Sequence, residues 1–153
     1  MTEQAQTQPA FNIEKIYVKD LSVEVPGAPQ IFLEQEAPQF DLQISTQSEA
    51  IDDGIYQCVL TLTATAKIQD KTAFLVEVHQ AGIFRLQNLP PESMEPTLMV
   101  ACPNILFPYG RETISDAVLR AGFPPLLLQP VNFEAMYLQQ KQQASGAAAA
   151  TTH

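Results

Sequence analysis

Few side chains in this 153-residue chain carry catalytic or ligating chemistry, and none stands in a spacing that makes a site. A Ser or Cys nucleophile needs a neighbouring base, and a zinc ion needs several imidazoles or thiolates held close together. The histidines are His79, on the polar side of a strand pattern, and His153, at the C-terminal end, so no pair of them converges. Cys58 and Cys102 stand in neither CxxC nor CxxxC spacing, which argues against a cysteine-rich zinc site and a disulfide framework. Both are expected to be reduced core thiols. With six glycines the chain has neither GxGxxG nor GxxxxGKS/T, so the phosphate cradle of a nucleotide-driven enzyme is missing. Arg111 and Glu112 could act as an acid/base or anion-binding pair, but adjacent charges on a helix ordinarily only solvate it. The expectation is a protein that is not an enzyme and holds no metal or cofactor.

Charge narrows the partners. The formal charge is -9, and residues 1–60 carry ten acids against Lys15 and Lys19 alone. Binding a phosphate backbone or an anionic lipid needs clustered Lys and Arg, which this chain lacks; a cationic partner fits its field better. The first ten residues show no basic stretch followed by an apolar one, and no apolar run approaches the roughly 20 residues that span a bilayer. These features predict a single cytoplasmic domain that does not insert into a membrane.

The elements follow from periodicity. From Phe11 to Val25 apolar residues favour odd positions, namely Phe11, Ile13, Tyr17, Leu21, Val23 and Val25, as a half-buried strand requires. Ile16 and Val18 break the pattern and suggest a bulge or a contact with another subunit. Residues 26–38 read as a crossover loop with Ile31, Phe32 and Leu33 exposed. Three further strands keep their apolar residues on even positions: Phe40 to Ile44, Tyr56 to Ile68, and Phe74 to Leu86. Asp52-Asp53-Gly54 and Gln69-Asp70-Lys71 supply the turns, and the result is an antiparallel sheet buried on one face.

Beyond Pro90-Pro91, Glu92 to Ala101 reads as a short helix leading into Cys102 to Glu112, where two prolines bracket an apolar run. Pro103 can open a helix and Pro108 should kink it. Ile114, Ala117, Val118 and Ala121 continue the apolar stripe until Gly122-Phe123-Pro124-Pro125 stops it. Asn132 is placed to cap a last helix on which Phe133, Met136 and Tyr137 share a face. Residues 1–10 are expected to be flexible, 11–143 to form the domain, and the alanine-rich residues 144–153 to be disordered.

With these residues placed, the chain resembles the SecB family of protein-export chaperones over roughly Phe11 to Gln143. The resemblance rests on Ile16-Tyr17-Val18-Lys19-Asp20, on Thr72-Ala73-Phe74-Leu75 with Glu77, on Gly82-Ile83-Phe84, on Cys102 to Glu112, and on Pro130-Val131-Asn132-Phe133. Where the family often has Ala, this chain has Gly110, which weakens a helix by about 1 kcal/mol. What the resemblance implies is an α+β fold, a four-stranded antiparallel sheet with a long kinked helix and a shorter C-terminal helix on one face, assembled as a dimer of dimers. It implies an ATP-independent holdase that binds unfolded preproteins and delivers them to the SecA motor. SecA's zinc-bearing C-terminal tail would dock on an acidic patch made here by Asp20, Glu24, Leu75 and Glu77, the zinc belonging to the partner.

A client groove is suggested by apolar residues that the sheet core does not need: Ile31 and Phe32 in the crossover loop, Leu126 and Leu128 after the long helix, and Phe133, Met136 and Tyr137 on the last one. Two other readings differ in the client or the chemistry. A SecB-like chaperone dedicated to one client, such as a toxin–antitoxin system, could let the SecA-docking residues drift, and here they are intact. A helix-on-sheet enzyme of thioesterase type would want a carboxylate or His at the start of the central helix, where this chain has Pro103 and Asn104.

Overall fold

Residues 8–150 are described by a computed structural model. The elements run β1 (Ala10–Glu24), a single 3-10 turn (Gln30–Leu33), β2 (Gln39–Asp52), β3 (Ile55–Ile68), β4 (Lys71–Gln87), α1 (Pro91–Pro96), a π-helical turn (Thr97–Ala101), α2 (Cys102–Arg120) and α3 (Phe133–Ala150). The four strands form one antiparallel sheet in the order β1-β4-β3-β2. β1 and β2 therefore lie on opposite edges, and residues 25–38 cross from one edge to the other. Both hairpin turns use the backbone expected of them: Gly54 takes φ +70°, and Gln69 and Asp70 take φ 50° and 66°.

The alternation in β3 and β4 translates directly into burial. Cys58, Leu60, Leu62, Ala64, Ala66 and Ile68 pack with Phe74, Val76, Val78, Phe84 and Leu86 beneath the helices. From α2 come Cys102, Leu106, Phe107, Ile114, Ala117 and Val118, one helical stripe laid on that face. The helix lies close because two positions lack a side chain. A Cβ on Gly82 would come within 2.9 Å of Leu106, and one on Gly110 within 2.9 Å of Leu62.

β1 departs from the simple alternation. Its register with β4 shifts between Ile13 and Lys15 and again between Val18 and Asp20. Residues directly opposite each other in a pair share a face, so Phe11 (opposite Leu86), Ile13 (Phe84), Ile16 (Gly82), Val18 (Gln80), Leu21 (Val78) and Val23 (Val76) all lie on the helix side. The two shifts thus keep six apolar residues on one face, which explains Ile16 and Val18. Tyr17, assigned to that face by parity, is instead opposite Ala81 on the other side, where its hydroxyl hydrogen-bonds Gln57 Oε1. Buried Gln80, in the middle of the core stripe, donates through Nε2 to the Tyr17 carbonyl (3.2 Å) and so anchors the strand beside the second shift.

Pro103 does not open a helix. The chain is already helical from Pro91, since Pro90 before it is held extended at ψ 144°. A proline at 103 would crowd the carbonyl four residues back in a regular α-helix. The turn before it is π-helical instead, with the Cys102 N–H reaching Thr97 O, and that wider turn joins α1 to α2. At the far end the Gly122 N–H bonds Leu119 O and the Phe123 N–H bonds Val118 O, with Gly122 at φ +96°, a Schellman termination. Asn132 caps α3 as expected, its Oδ1 accepting from the Ala135 N–H at 2.9 Å. The segment expected to be disordered from residue 144 is helical as far as Ala150, in keeping with the high helix propensity of alanine. Of the expected flexible start, residues 1–7 lie outside the described residues and Ala10 already belongs to β1.

Candidate functional site

Core side chains leave the sheet on its helix side, so the odd-numbered residues of β3 and β4 form a second face that no helix covers. Three cross-strand rows bring the acidic candidates together there. Asp20 stands opposite His79, which stands opposite Thr61; Ser22 opposite Glu77 and Thr63; and Glu24 opposite Leu75 and Thr65. The register shift between Val18 and Asp20 is what turns Asp20 to this face, alongside Glu24. All four expected docking residues therefore share one surface. Asp20 and Glu24 are exposed, and Leu75 and Glu77 half-buried.

The Glu77 carboxylate is held at both oxygens. His79 Nε2 lies 3.1 Å from Oε2, and the Thr63 hydroxyl donates to Oε1 at 2.8 Å. The hydrogen bonds from His79 and then Thr63 keep the Glu77 carboxyl below its ordinary value, against a smaller opposing effect of burial. Neither His79 nor Thr63 was read from the sequence as part of this surface. The available signal was parity, since both occupy odd positions flanking Glu77.

On the helix side, an apolar cavity of about 400 Å³ opens where the crossover loop meets the end of α2. Ile31, Phe32 and Leu126 line it, with Phe40, Phe74 and Phe123, while Glu34 and Glu36 stand at its margin. The rings make a ladder into the core: Phe32 to Phe123 at 5.1 Å between centroids, Phe123 to Phe74 at 5.1 Å, and Phe74 to Phe40 at 6.3 Å. Phe32, 48% exposed, and Phe40, 54%, keep apolar surface in solvent. Lys71 pairs with Glu34 at 3.5 Å, and Gln69 donates to Glu36 at 2.6 Å.

The other groove candidates go elsewhere. Phe133 and Tyr137 are buried, Phe133 in edge contact with Phe107 at 5.9 Å, while Leu128 and Met136 pack half-buried against the core. Phe133 ties α3 to α2 through Phe107, and none of the four lines this cavity. Among the lining residues that sequence reading missed are Phe40, Phe74, Phe123 and Gly122. Phe40 and Phe74 had been absorbed into strand stripes, and Phe123 and Gly122 into a helix stop.

Cys58 and Cys102 are both fully buried, and contact with Cys58 together with burial pushes the Cys102 thiol well above its ordinary range. Among the described residues no group of His, Cys, Asp and Glu side chains could hold a metal, and no helix is long and apolar enough to cross a membrane.

Comparison with known proteins shows the family. The family model described as "Preprotein translocase subunit SecB" matches residues 4–144. The protein-export protein SecB of Dechloromonas aromatica is 65% identical over 142 residues, covering 93% of each chain. That of Methylobacillus flagellatus is 62% identical over 146 residues, covering 95% of this chain and 93% of the relative. Among solved structures, a SecB-like chaperone of Mycobacterium tuberculosis, in complex with an antitoxin peptide, superposes with a TM-score of 0.66 at 19% identity over 79% of this chain and 90% of its own. At that identity it shows the shared fold. By sequence and by fold, the chain belongs to the SecB family of protein-export chaperones.

Proposed function

We propose that the protein is a cytoplasmic, ATP-independent holdase that keeps preproteins unfolded and passes them to the SecA motor. The observation that supports this reading is that two faces of one sheet carry surfaces of different chemistry. The uncovered face presents Asp20, Glu24 and Glu77 around half-buried Leu75, and the helix side carries the Phe-lined cavity. A basic tail with one apolar side chain suits the first surface, where the carboxylates steer and orient it and Leu75 anchors it. An extended apolar segment of an unfolded client suits the second, since aromatic walls fit many side chains with little selectivity. Glu34 and Glu36 at the margin favour clients that carry basic residues beside their apolar ones.

Retention needs no nucleotide. Binding the unfolded form opposes folding by mass action, and weak sites repeated in an assembly hold one long chain tightly through effective concentration. The single chain leaves Phe11, Ile13, Val18, Leu21 and Val23 exposed on the helix side of an edge strand, a surface that a second copy would cover. We assign the assembly as a homotetramer, a dimer of dimers.

The test is suppression of aggregation of a denatured preprotein by the purified protein, with and without ATP. Equal suppression in both is expected, and loss of suppression without ATP would refute the holdase reading. Asp20→Lys and Glu77→Lys should each abolish binding of the SecA tail while leaving client retention unchanged. Loss of both activities together would refute separate surfaces.

A further inference from the structure

His79 is the only histidine among the described residues, and it stands inside the acidic surface assigned to docking. Its Nε2 contacts Glu77 Oε2 at 3.1 Å, its own strand partner on β1 is Asp20, and its side chain remains 33% exposed. From β1 the titratable groups on this side are Lys15, Tyr17, Asp20 and Glu24, with Lys19 at the register shift; from β4, Glu77 and Arg85; from the far edge β2, Asp41 and Glu49; beside His79 itself β3 presents Thr61 and Thr63, which do not titrate. Among the described residues no helix covers the face. We infer that His79 is a positioning residue for docking, which together with Thr63 aims the Glu77 carboxylate at a cationic partner and weakens that partner's hold when the imidazole is protonated.

The inference rests on the docking reading above. Neutral His79 donates a hydrogen bond to Glu77 and leaves the carboxylate's charge for the incoming Lys or Arg. With Thr63 on the other oxygen, the carboxylate is fixed in one orientation and loses little freedom on docking. Protonated His79 adds a positive charge between Asp20 and Glu77. It pairs internally with Glu77, lowers the negative potential of the surface, and competes with the partner's cation. Histidine is the side chain whose charge ordinarily changes between pH 5 and 8, which sets the range over which this competition is tested.

The test measures binding of the zinc-loaded SecA C-terminal tail peptide to the full chain by titration calorimetry at pH 6 and pH 8, for wild type, His79→Gln and His79→Lys. Wild type should lose about two- to fivefold in affinity between pH 8 and pH 6, the scale of a screened surface ion pair. His79→Gln keeps a donor for Glu77 but cannot charge, and should flatten the profile to whatever change the peptide itself contributes. His79→Lys should bind weakly at both values. Equal pH slopes in wild type and His79→Gln would overturn the role of His79 while leaving docking intact. Absence of binding at pH 8 in wild type would overturn the docking reading and this inference with it. Circular dichroism melts of each variant exclude misfolding as the cause.

Discussion

Two residues show how local geometry sets each surface. Gly122 ends α2 at φ +96°, a conformation that side chains other than Gly rarely adopt, and a Cβ there would lie 2.9 Å from Phe32 Cε1. Gly122→Ala should therefore cost about 1–3 kcal/mol in strain and displace the Phe32 ring from the cavity wall. Urea unfolding should give the stability loss, and aggregation suppression a weaker retention of clients than the same loss causes at a site remote from the cavity. On the opposite face, Glu77 titrates below its ordinary value of 4.5 because His79 and Thr63 hydrogen-bond its ionised form. A carboxyl depressed on folding contributes stability above its unfolded value and loses it as pH falls through the folded one. Stability of wild type relative to Glu77→Gln should thus be constant at neutral pH and shrink below about pH 4, by less than about 1 kcal/mol because the pair is solvent-screened.

At the scale of elements, legibility followed the strength of the periodic signal. β3 and β4 were readable residue by residue because both sit in the middle of the sheet with one face in the core, and a parity slip would have buried Thr61, Thr63 and Thr65. β1 was readable as a strand but not in register. Its two shifts bring Ile16 and Val18 to the helix side and send Tyr17 away, and such shifts depend on a partner strand that local sequence does not specify. That Asp20, Glu24, Leu75 and Glu77 share one face was consistent with parity; their docking role comes from the resemblance and is part of the proposal. The cavity was only half legible, since Phe40 and Phe123 line it from elements distant in sequence. Gly110 illustrates the same limit. Its local reading is a weakened helix, yet the structure places it against fully buried Leu62. Gly110→Ala gains about 1 kcal/mol of helix propensity but overpacks an enclosed side chain, which costs about 1–3 kcal/mol. The substitution should be neutral to destabilising alone and stabilising when made in a Leu62→Val background. Denaturant melts of the four proteins in that cycle give the coupling directly.

For the whole molecule, the unusual feature is where apolar surface remains. Phe11, Ile13, Val18, Leu21 and Val23 are each 36% to 49% exposed, and the strand that carries them is an unpaired edge with few charges on its helix side. A monomer would leave both an apolar stripe and a row of open backbone groups in water, the combination that promotes uncontrolled pairing. The proposed closed assembly would remove the hazard by covering that stripe with a second copy, while the proposed docking surface would stay outward on the other face of the same sheet. Leu21→Glu with Val23→Glu should therefore break the proposed assembly, because four buried carboxylates per interface, two from each copy, lack partners. Light scattering should show about four chain masses for wild type and a smaller species for the double variant at micromolar concentration. The same variant should still bind the SecA tail through Asp20, Glu24, Leu75 and Glu77, but hold a long unfolded client much less tightly, since retention depends on several cavities engaging one chain. A wild-type protein that stays monomeric at micromolar concentration, or a disrupted assembly that retains clients undiminished, would refute a multivalent holdase.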